Sequence, residues 1–302
     1  MKIIYLFFIF INVLWADPSF GIIPNINIED KDKYNLGKQL FYDKNLSKDK
    51  KISCASCHNL ELYGTDNKKV YRGVNNSIGK LNSPTIFNTK FNISFDGAGE
   101  TTTLLSRTKM SFLKESEMAG DIKEMLYYIS SDLALSNSFV NVYGAVTPNN
   151  VFDSISYFVE NLLSPNSKFD LFLQGDDSLL NEDELKGYTL FKEYGCVSCH
   201  NGINVGGNMY QKLGVFKEPK LDDNTLGRYR ITHLELDKNV FKVPSLRNIT
   251  KTAPYLHDGS FKTLDTTIER MGIFQLGIKI DSKDIYYIKK FLNTLTGDTV
   301  DE

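Results

Sequence analysis

Cys54-Ala55-Ser56-Cys57-His58 constrains this chain more than any other stretch, because it returns as Cys196-Val197-Ser198-Cys199-His200. All 4 cysteines and two of the 4 histidines stand in these two pentapeptides. C-x-x-C-H is the attachment sequence of c-type haem. Two thiols one turn apart bond to the porphyrin, and the adjacent imidazole reaches the iron. Structural zinc and disulfide pairing are the alternatives. Zinc pairs usually lie about 15–20 residues apart, whereas 138 residues separate Cys57 from Cys196. A redox C-x-x-C needs no following histidine, and here one follows both pairs.

A chain of 302 residues has room for two modest domains, and one motif falls in each half. The sequence is 41% hydrophobic and 24% charged, as in an ordinary globular protein. With a pI of about 6.1, no basic surplus points to nucleic acid. Residues 1–16 read as a secretory signal peptide: Lys2, an apolar run from Ile3 to Leu14 broken by Asn12, then Trp15-Ala16. That run is too short to span a bilayer comfortably, so no stable membrane span is expected. Leu14, three residues before the cut, leaves an uncleaved anchor as the alternative. Export to the periplasm suits the haem reading, since c-type haem is attached outside the cytoplasm.

Helical spacing marks Tyr34–Tyr42, 121–135, 150–163, Glu182–Tyr194, Thr263–Met271 and Ser282–Leu295. Pro148-Asn149 is read as the cap of the third. Residues 59–99 and 202–232 are rich in loop formers. Ser164-Pro165-Asn166-Ser167 breaks the pattern and sets a domain boundary. The order of helix, loop and C-x-x-C-H occurs on both sides of it, an internal duplication. No strand pattern recurs, so the class is mostly α.

Read whole, the sequence resembles the bacterial dihaem cytochrome c peroxidases and their MauG-like relatives. The resemblance rests on Leu36–Asp43, Ser53–His58, Asn82-Ser83-Pro84-Thr85, Asp96-Gly97, Glu117-Met118 and Gly195–Gly202. Its strongest parts are Phe241–Asn248 and Thr252–Gly259. It implies two cytochrome c-like domains, 17–165 and 166–302, each with one covalent haem c, joined around an interface. The N-terminal haem, on Cys54, Cys57 and His58, would be peroxidatic. The C-terminal haem, on Cys196, Cys199 and His200, would take electrons from a small donor protein.

Further roles follow from the same resemblance. Met271 matches the thioether ligand of the second iron, which would raise its potential; Met209 is the competitor, and core packing is the bland reading of Met271. Glu117 matches the distal acid–base that moves a proton between the oxygens of peroxide. The Asn82 side chain and the carbonyls of Thr252 and Pro254 match a calcium site of hard oxygens. A homodimer is also implied. His257 is expected to be structural, near a propionate or the domain interface, and His233 to lie at the surface.

Three departures stand out. No histidine occurs between His58 and His200, so nothing matches the histidine that blocks the peroxidatic iron in many members. Of the loop Val70–Leu81, Tyr71, Lys80 and the backbone are poorer ligands than imidazole. The family's Trp-Asp-Gly-Arg is Phe95-Asp96-Gly97-Ala98. A glutamine usual in the next segment becomes Arg107, which would stabilise charge on a departing oxygen. The expected function is therefore hydrogen peroxide reduction with electrons from a small c-type cytochrome or copper protein. A dihaem electron carrier and a MauG-like oxidase of a protein or organic substrate are the alternatives.

Overall fold

The structure, a computed structural model, describes residues 17–220 and 226–299. The expected signal peptide lies outside the described residues. The first half holds α1 (Lys31–Tyr42), α2 (Cys54–Cys57), α3 (Leu104–Leu113), α4 (Ile122–Ser131), α5 (Leu133–Tyr143) and α6 (Pro148–Glu160). The second holds α7 (Lys168–Leu173), α8 (Glu182–Glu193), β1 (Tyr210–Lys212), α9 (Tyr229–Thr232), β2 (Val240–Lys242), α10 (Leu264–Met271) and α11 (Ser282–Asn293).

Local chemistry explains most boundaries. Asp30 caps α1 by accepting the Lys33 N–H, and Asn181 and Glu184 form a capping box at α8. Thr147, rather than the Pro148-Asn149 pair, caps α6, and Pro148 takes the first helical position, where a missing N–H costs nothing. The pattern over 121–135 is two helices: Asp132 ends α4 and caps α5 by accepting the Leu135 N–H. The class is mostly α as expected. One feature was not: β1 and β2 pair antiparallel, Tyr210 opposite Lys242. Strands this short carry no readable alternation.

Each half repeats one crossing. α1 packs on α6, and α8 on α11. A Cβ on Gly37 would stand 2.0 Å from the Ser154 carbonyl oxygen, and one on Gly187 would stand 1.9 Å from that of Tyr287. Only glycine lets these backbones approach so closely. The helix that leads into each motif is thereby locked to the last long helix of its half. Apolar side chains fill in around the crossings. Leu36, Leu40, Phe112, Ile129 and Phe152 make one core, with Tyr34, Phe41, Phe87 and Phe158 beside it. Phe169, Tyr188, Phe191, Ile288 and Phe291 make that of the second half. Phe20, from the lead-in, joins this second core and meets Phe169 edge-on at 5.3 Å.

A second repeat became visible only in three dimensions. Asn88 and Asn248 are fully buried and left-handed, at φ 60° ψ 14° and φ 60° ψ 13°. Each follows a proline-led segment and opens a 3₁₀ turn. Both donate to the Ser164 hydroxyl, at 2.7 and 2.8 Å, from opposite halves. Ser164, in the stretch between α6 and α7, is thus the hub of a buried polar network. Asn204 extends it by donating to Asn92 Oδ1 at 2.8 Å. Nearby, Arg247 and Asp170 form a bidentate pair at 2.9 and 2.8 Å, with side chains 1% and 0% exposed. Arg247 also donates to the Gly21 and Ile203 carbonyls, which fastens the lead-in to the second half. A buried charge satisfied this fully fixes position more than it adds stability.

Candidate active site

The first motif is a single turn of helix. His58 N–H bonds to the Cys54 carbonyl at 3.0 Å, which closes the turn and puts both thiols and the imidazole on one short segment. The His58 ring donates from Nδ1 to the Gly64 carbonyl at 3.0 Å. That fixes the tautomer and leaves the Nε2 lone pair for a metal. Gly64 is left-handed, and a side chain there would meet Ile86 at 3.0 Å.

The second motif differs in detail. Gly195, at φ +80°, turns the chain into a 3₁₀ turn, and His200 N–H reaches the Cys196 carbonyl at 2.9 Å. The buried His200 Nδ1 has no hydrogen-bond partner, although the Val205 and Pro244 carbonyls lie close by. Gly206 permits this packing. A Cβ there would stand 2.2 Å from the Pro244 oxygen and 3.3 Å from His200 Nδ1.

No disulfide joins any of the four cysteines. Burial pushes Cys54 up to about 12, and Cys57 and Cys196 to about 11. Such thiols are not primed for redox exchange. Among the described residues no three or more His, Cys, Asp or Glu side chains gather as a metal-ligand cluster. Paired thiols a turn apart, with an imidazole whose far nitrogen is committed, fit a covalently attached porphyrin at the first motif.

Around the first motif stands a charged group. α3 carries Arg107 and ends at Lys114; the chain then turns back, with Glu117 N–H on the Lys114 carbonyl at 2.9 Å. Arg107 Nη2 lies 3.4 and 3.5 Å from the Glu117 carboxylate oxygens. Lys114 Nζ lies closer, at 2.9 Å. Burial opposes charge on Glu117, but Arg107 and Lys114 outweigh it and hold its carboxyl below the usual carboxylate range. Burial likewise lowers the His58 ring, against the pull of the Gly64 carbonyl, and the charges of Arg107 and Glu117 both act on it. The two residues singled out for catalysis are therefore together, beside the first motif.

Loop 70–81 straps this arrangement down. Tyr71 Oη and Ser116 Oγ are 3.2 Å apart, Ser77 donates to the Ser116 carbonyl at 3.0 Å, and Val74 N–H to that of Glu117 at 2.9 Å. A Cβ on Gly73 would stand 2.0 Å from the Ser116 oxygen. Loop 70–81 was legible only as a source of poor iron ligands; its contacts with Ser116 and Glu117, and Lys114 as a partner of Glu117, were not. The i,i+3 spacing of Lys114 and Glu117 was the available signal.

A family model described as di-haem cytochrome c peroxidase matches residues 31–178. Over 291 residues the chain is 41% identical to the cytochrome c551 peroxidase of Nitrosomonas europaea, covering 96% of this chain and 87% of that one. The chain belongs to the dihaem cytochrome c peroxidase family. It is also 37% identical to the cytochrome c peroxidase Ccp of Escherichia coli, over 91% of this chain and 60% of that one. Among solved structures, a MauG-like protein associated with microbial copper homeostasis superposes with a TM-score of 0.82 at 24% identity, over 94% of this chain and 95% of that one. That likeness shows the fold. Membership of the family implies haem c as cofactor, in agreement with the chemistry of the two motifs.

The remaining expected residues are placed as follows. Met271 ends α10, half-buried, and a π-helical turn, Gly272–Leu276, follows it directly. Leu264 and Ile268 of the same helix are in the second core. Met209 is also half-buried, and its carbonyl accepts the Val243 N–H at 2.9 Å. The Asn82 amide donates to the Lys68 carbonyl at 2.7 Å. His257 stacks on Phe241 at 4.3 Å, and its carbonyl accepts the Asn82 N–H at 2.9 Å, so it bridges the halves. His233 is exposed.

Proposed function

We propose that this chain is a dihaem peroxidase that reduces hydrogen peroxide to water with electrons from a small c-type cytochrome or copper protein. The observation that carries the reading is the Glu117 carboxylate, held between Arg107 and Lys114 beside the first motif. The haem on Cys54 and Cys57 would supply the redox chemistry that divides the O–O bond. His58 would hold its iron through Nε2, with Nδ1 anchored on Gly64. Glu117, ionised at neutral pH, would take the proton from the near oxygen of peroxide and return it to the far one. Arg107 would stabilise charge on the departing oxygen.

The second haem, on Cys196, Cys199 and His200, would relay electrons, with Met271 as sixth ligand. The π turn after Met271 supports that assignment, since such turns gather at functional sites. The domains would be 17–165 and 166–302, one haem to each. Residues 1–16 would direct export to the periplasm; no helix of the described residues is long and apolar enough to cross a membrane. One calcium ion between the halves, on Asn82 Oδ1 and the carbonyls of Thr252 and Pro254, and a homodimer complete the proposal. With its amide nitrogen committed to Lys68, Asn82 has its oxygen left for a hard cation.

The test is peroxide reduction by the holoprotein with reduced cytochrome c, beside electron paramagnetic resonance of the oxidised protein at neutral pH. No histidine stands between His58 and His200, and the Tyr71 hydroxyl is within hydrogen-bonding distance of Ser116. A high-spin first haem and turnover without prior half-reduction are expected. Two low-spin signals alone would overturn the open first site, and absence of turnover would overturn the peroxidase reading.

A further inference from the structure

The segment Ser94–Thr101 is folded upon Asp96. One carboxylate oxygen accepts the N–H groups of Ala98, Gly99 and Glu100 at 3.0, 2.7 and 3.0 Å. The other accepts the N–H and hydroxyl of Thr101, both at 2.7 Å. With its donors turned inward, this loop of the first half leaves carbonyls to offer. The second half takes three of them. Lys242 donates from its backbone to Gly97 at 2.8 Å and from Nζ to Ser94 at 2.5 Å. Arg228 Nη1 donates to Ala98 at 3.3 Å.

The Arg228 guanidinium lies 4.0 Å above the ring centre of Tyr210, on β1, and its backbone N–H bonds to the Val240 carbonyl at 2.9 Å. It is thus built into the same ribbon that carries Lys242 and Phe241. The fit is close. A Cβ on Gly99, itself at φ +81°, would stand 2.2 Å from the Tyr210 hydroxyl and 2.5 Å from Arg228 Nη1. An outer ion pair, Arg230 with Glu100 at 3.8 Å, is half-exposed and weak. A planar cation with one face on an aromatic ring and one edge on a carbonyl is a rigid spacer, which lysine does not reproduce.

We propose that Arg228, stacked on Tyr210, is a positioning residue for electron exchange between the two halves. It acts through the Ser94–Thr101 loop and keeps that loop seated on the β1–β2 ribbon, whose Gln211 Nε2 lies 3.9 Å from Cys199 Sγ of the second motif. The inference rests on the reading of one haem in each half. In the exchange one electron leaves the reduced iron of the second site and is gained by the oxidised iron of the first. No bond forms or breaks. The rate of such a step falls steeply as the gap between donor and acceptor widens, so a loosened seam slows it.

The experiment uses the full holoprotein with Arg228→Ala, Arg228→Lys, Tyr210→Ala and Tyr210→Phe. Two quantities are read: amide hydrogen exchange over 94–101 and 240–243, and the rate of inter-haem electron redistribution after pulsed reduction. Arg228→Ala and Tyr210→Ala are expected to speed exchange in both segments by about tenfold. Electron redistribution should slow to a similar degree, with haem content, spin state and both midpoints unchanged. Arg228→Lys should fall between, and Tyr210→Phe, which keeps the ring face, should match the parent. Unchanged exchange in Arg228→Ala would overturn the clamp. Faster exchange with an unchanged electron rate would overturn the positioning role. A parent protein with fewer than two haems would overturn the two-haem reading, and the proposal with it, before any variant is made.

Discussion

At the first motif the imidazole Nδ1 donates to the Gly64 carbonyl; at the second, the buried His200 Nδ1 sits beside Gly206 and Pro244 with no hydrogen bond. The sequence spacing is the same, and the two leading helices cross their partners at equivalent glycines. The surroundings are not the same. Burial lowers both rings, but His58 also feels the charges of Arg107, Glu117 and Asp66, whereas at His200, lowered to about 4, only the Val205 and Pro244 carbonyls oppose it. One framework thus carries two surroundings, charged side chains about the first histidine and backbone carbonyls about the second. The difference lies in the groups around the histidine, which tune a metal centre as much as the ligands do.

Removing the charge asymmetry should have the largest effect. Glu117→Gln is expected to lower peroxide turnover by about 10²–10⁴-fold, as for other positioned acid–base groups. Haem content and the second-site spectrum should stay as in the parent. A variant within about a factor of three of the parent would take Glu117 out of the mechanism.

Making the two sites more alike should show next in the potentials. Met271→His is expected to lower the second midpoint by on the order of 100 mV or more, read by spectroelectrochemical titration. The first midpoint should hold. An unmoved second midpoint would shift the assignment to Met209.

The shared crossing can be broken one half at a time. Gly187→Ala should destabilise the second half by about 1–3 kcal/mol, because the new methyl meets backbone and has nowhere to go. Denaturant unfolding followed at each haem would check this. Gly37→Ala should report in the first half instead. Equal effects of Gly187→Ala on both probes would mean that the halves unfold as one.

The smallest effect sharpens the contrast by pH. Lys114 helps hold Glu117 below the usual carboxylate range. A carboxyl with a depressed folded pKa stabilises the fold above its unfolded pKa, and loses that contribution as pH falls through the folded value. Lys114→Met raises the folded value, so the acid limb of kcat/KM should move to higher pH while the rate near pH 8 changes little. Lys114→Arg should restore the parent profile. An unmoved limb in Lys114→Met would leave Arg107 as the cation that matters.

Much of this protein is local and therefore legible in the chain. The two C-x-x-C-H pentapeptides name the cofactor because thiols and imidazole must be neighbours in sequence to meet one porphyrin. The helices from Lys31, Glu182, Leu264 and Ser282 follow from apolar spacing and from caps within a turn of their ends. The Asp132 break in 121–135 was harder to see, since a cap can sit inside an unbroken apolar pattern. Glu117 and Arg107 were identified by resemblance, but spacing alone says nothing of their contact, which depends on how the chain turns back after α3. Lys114 as the nearer partner of Glu117, the Ser164 hub shared by Asn88 and Asn248, and the seating of Ala98 under Arg228 were decided by the tertiary structure. The reason is physical. Bonds and turns act over a few residues and leave a periodic trace, whereas buried polar contacts join residues far apart in sequence and exist only once packing has removed the water between them.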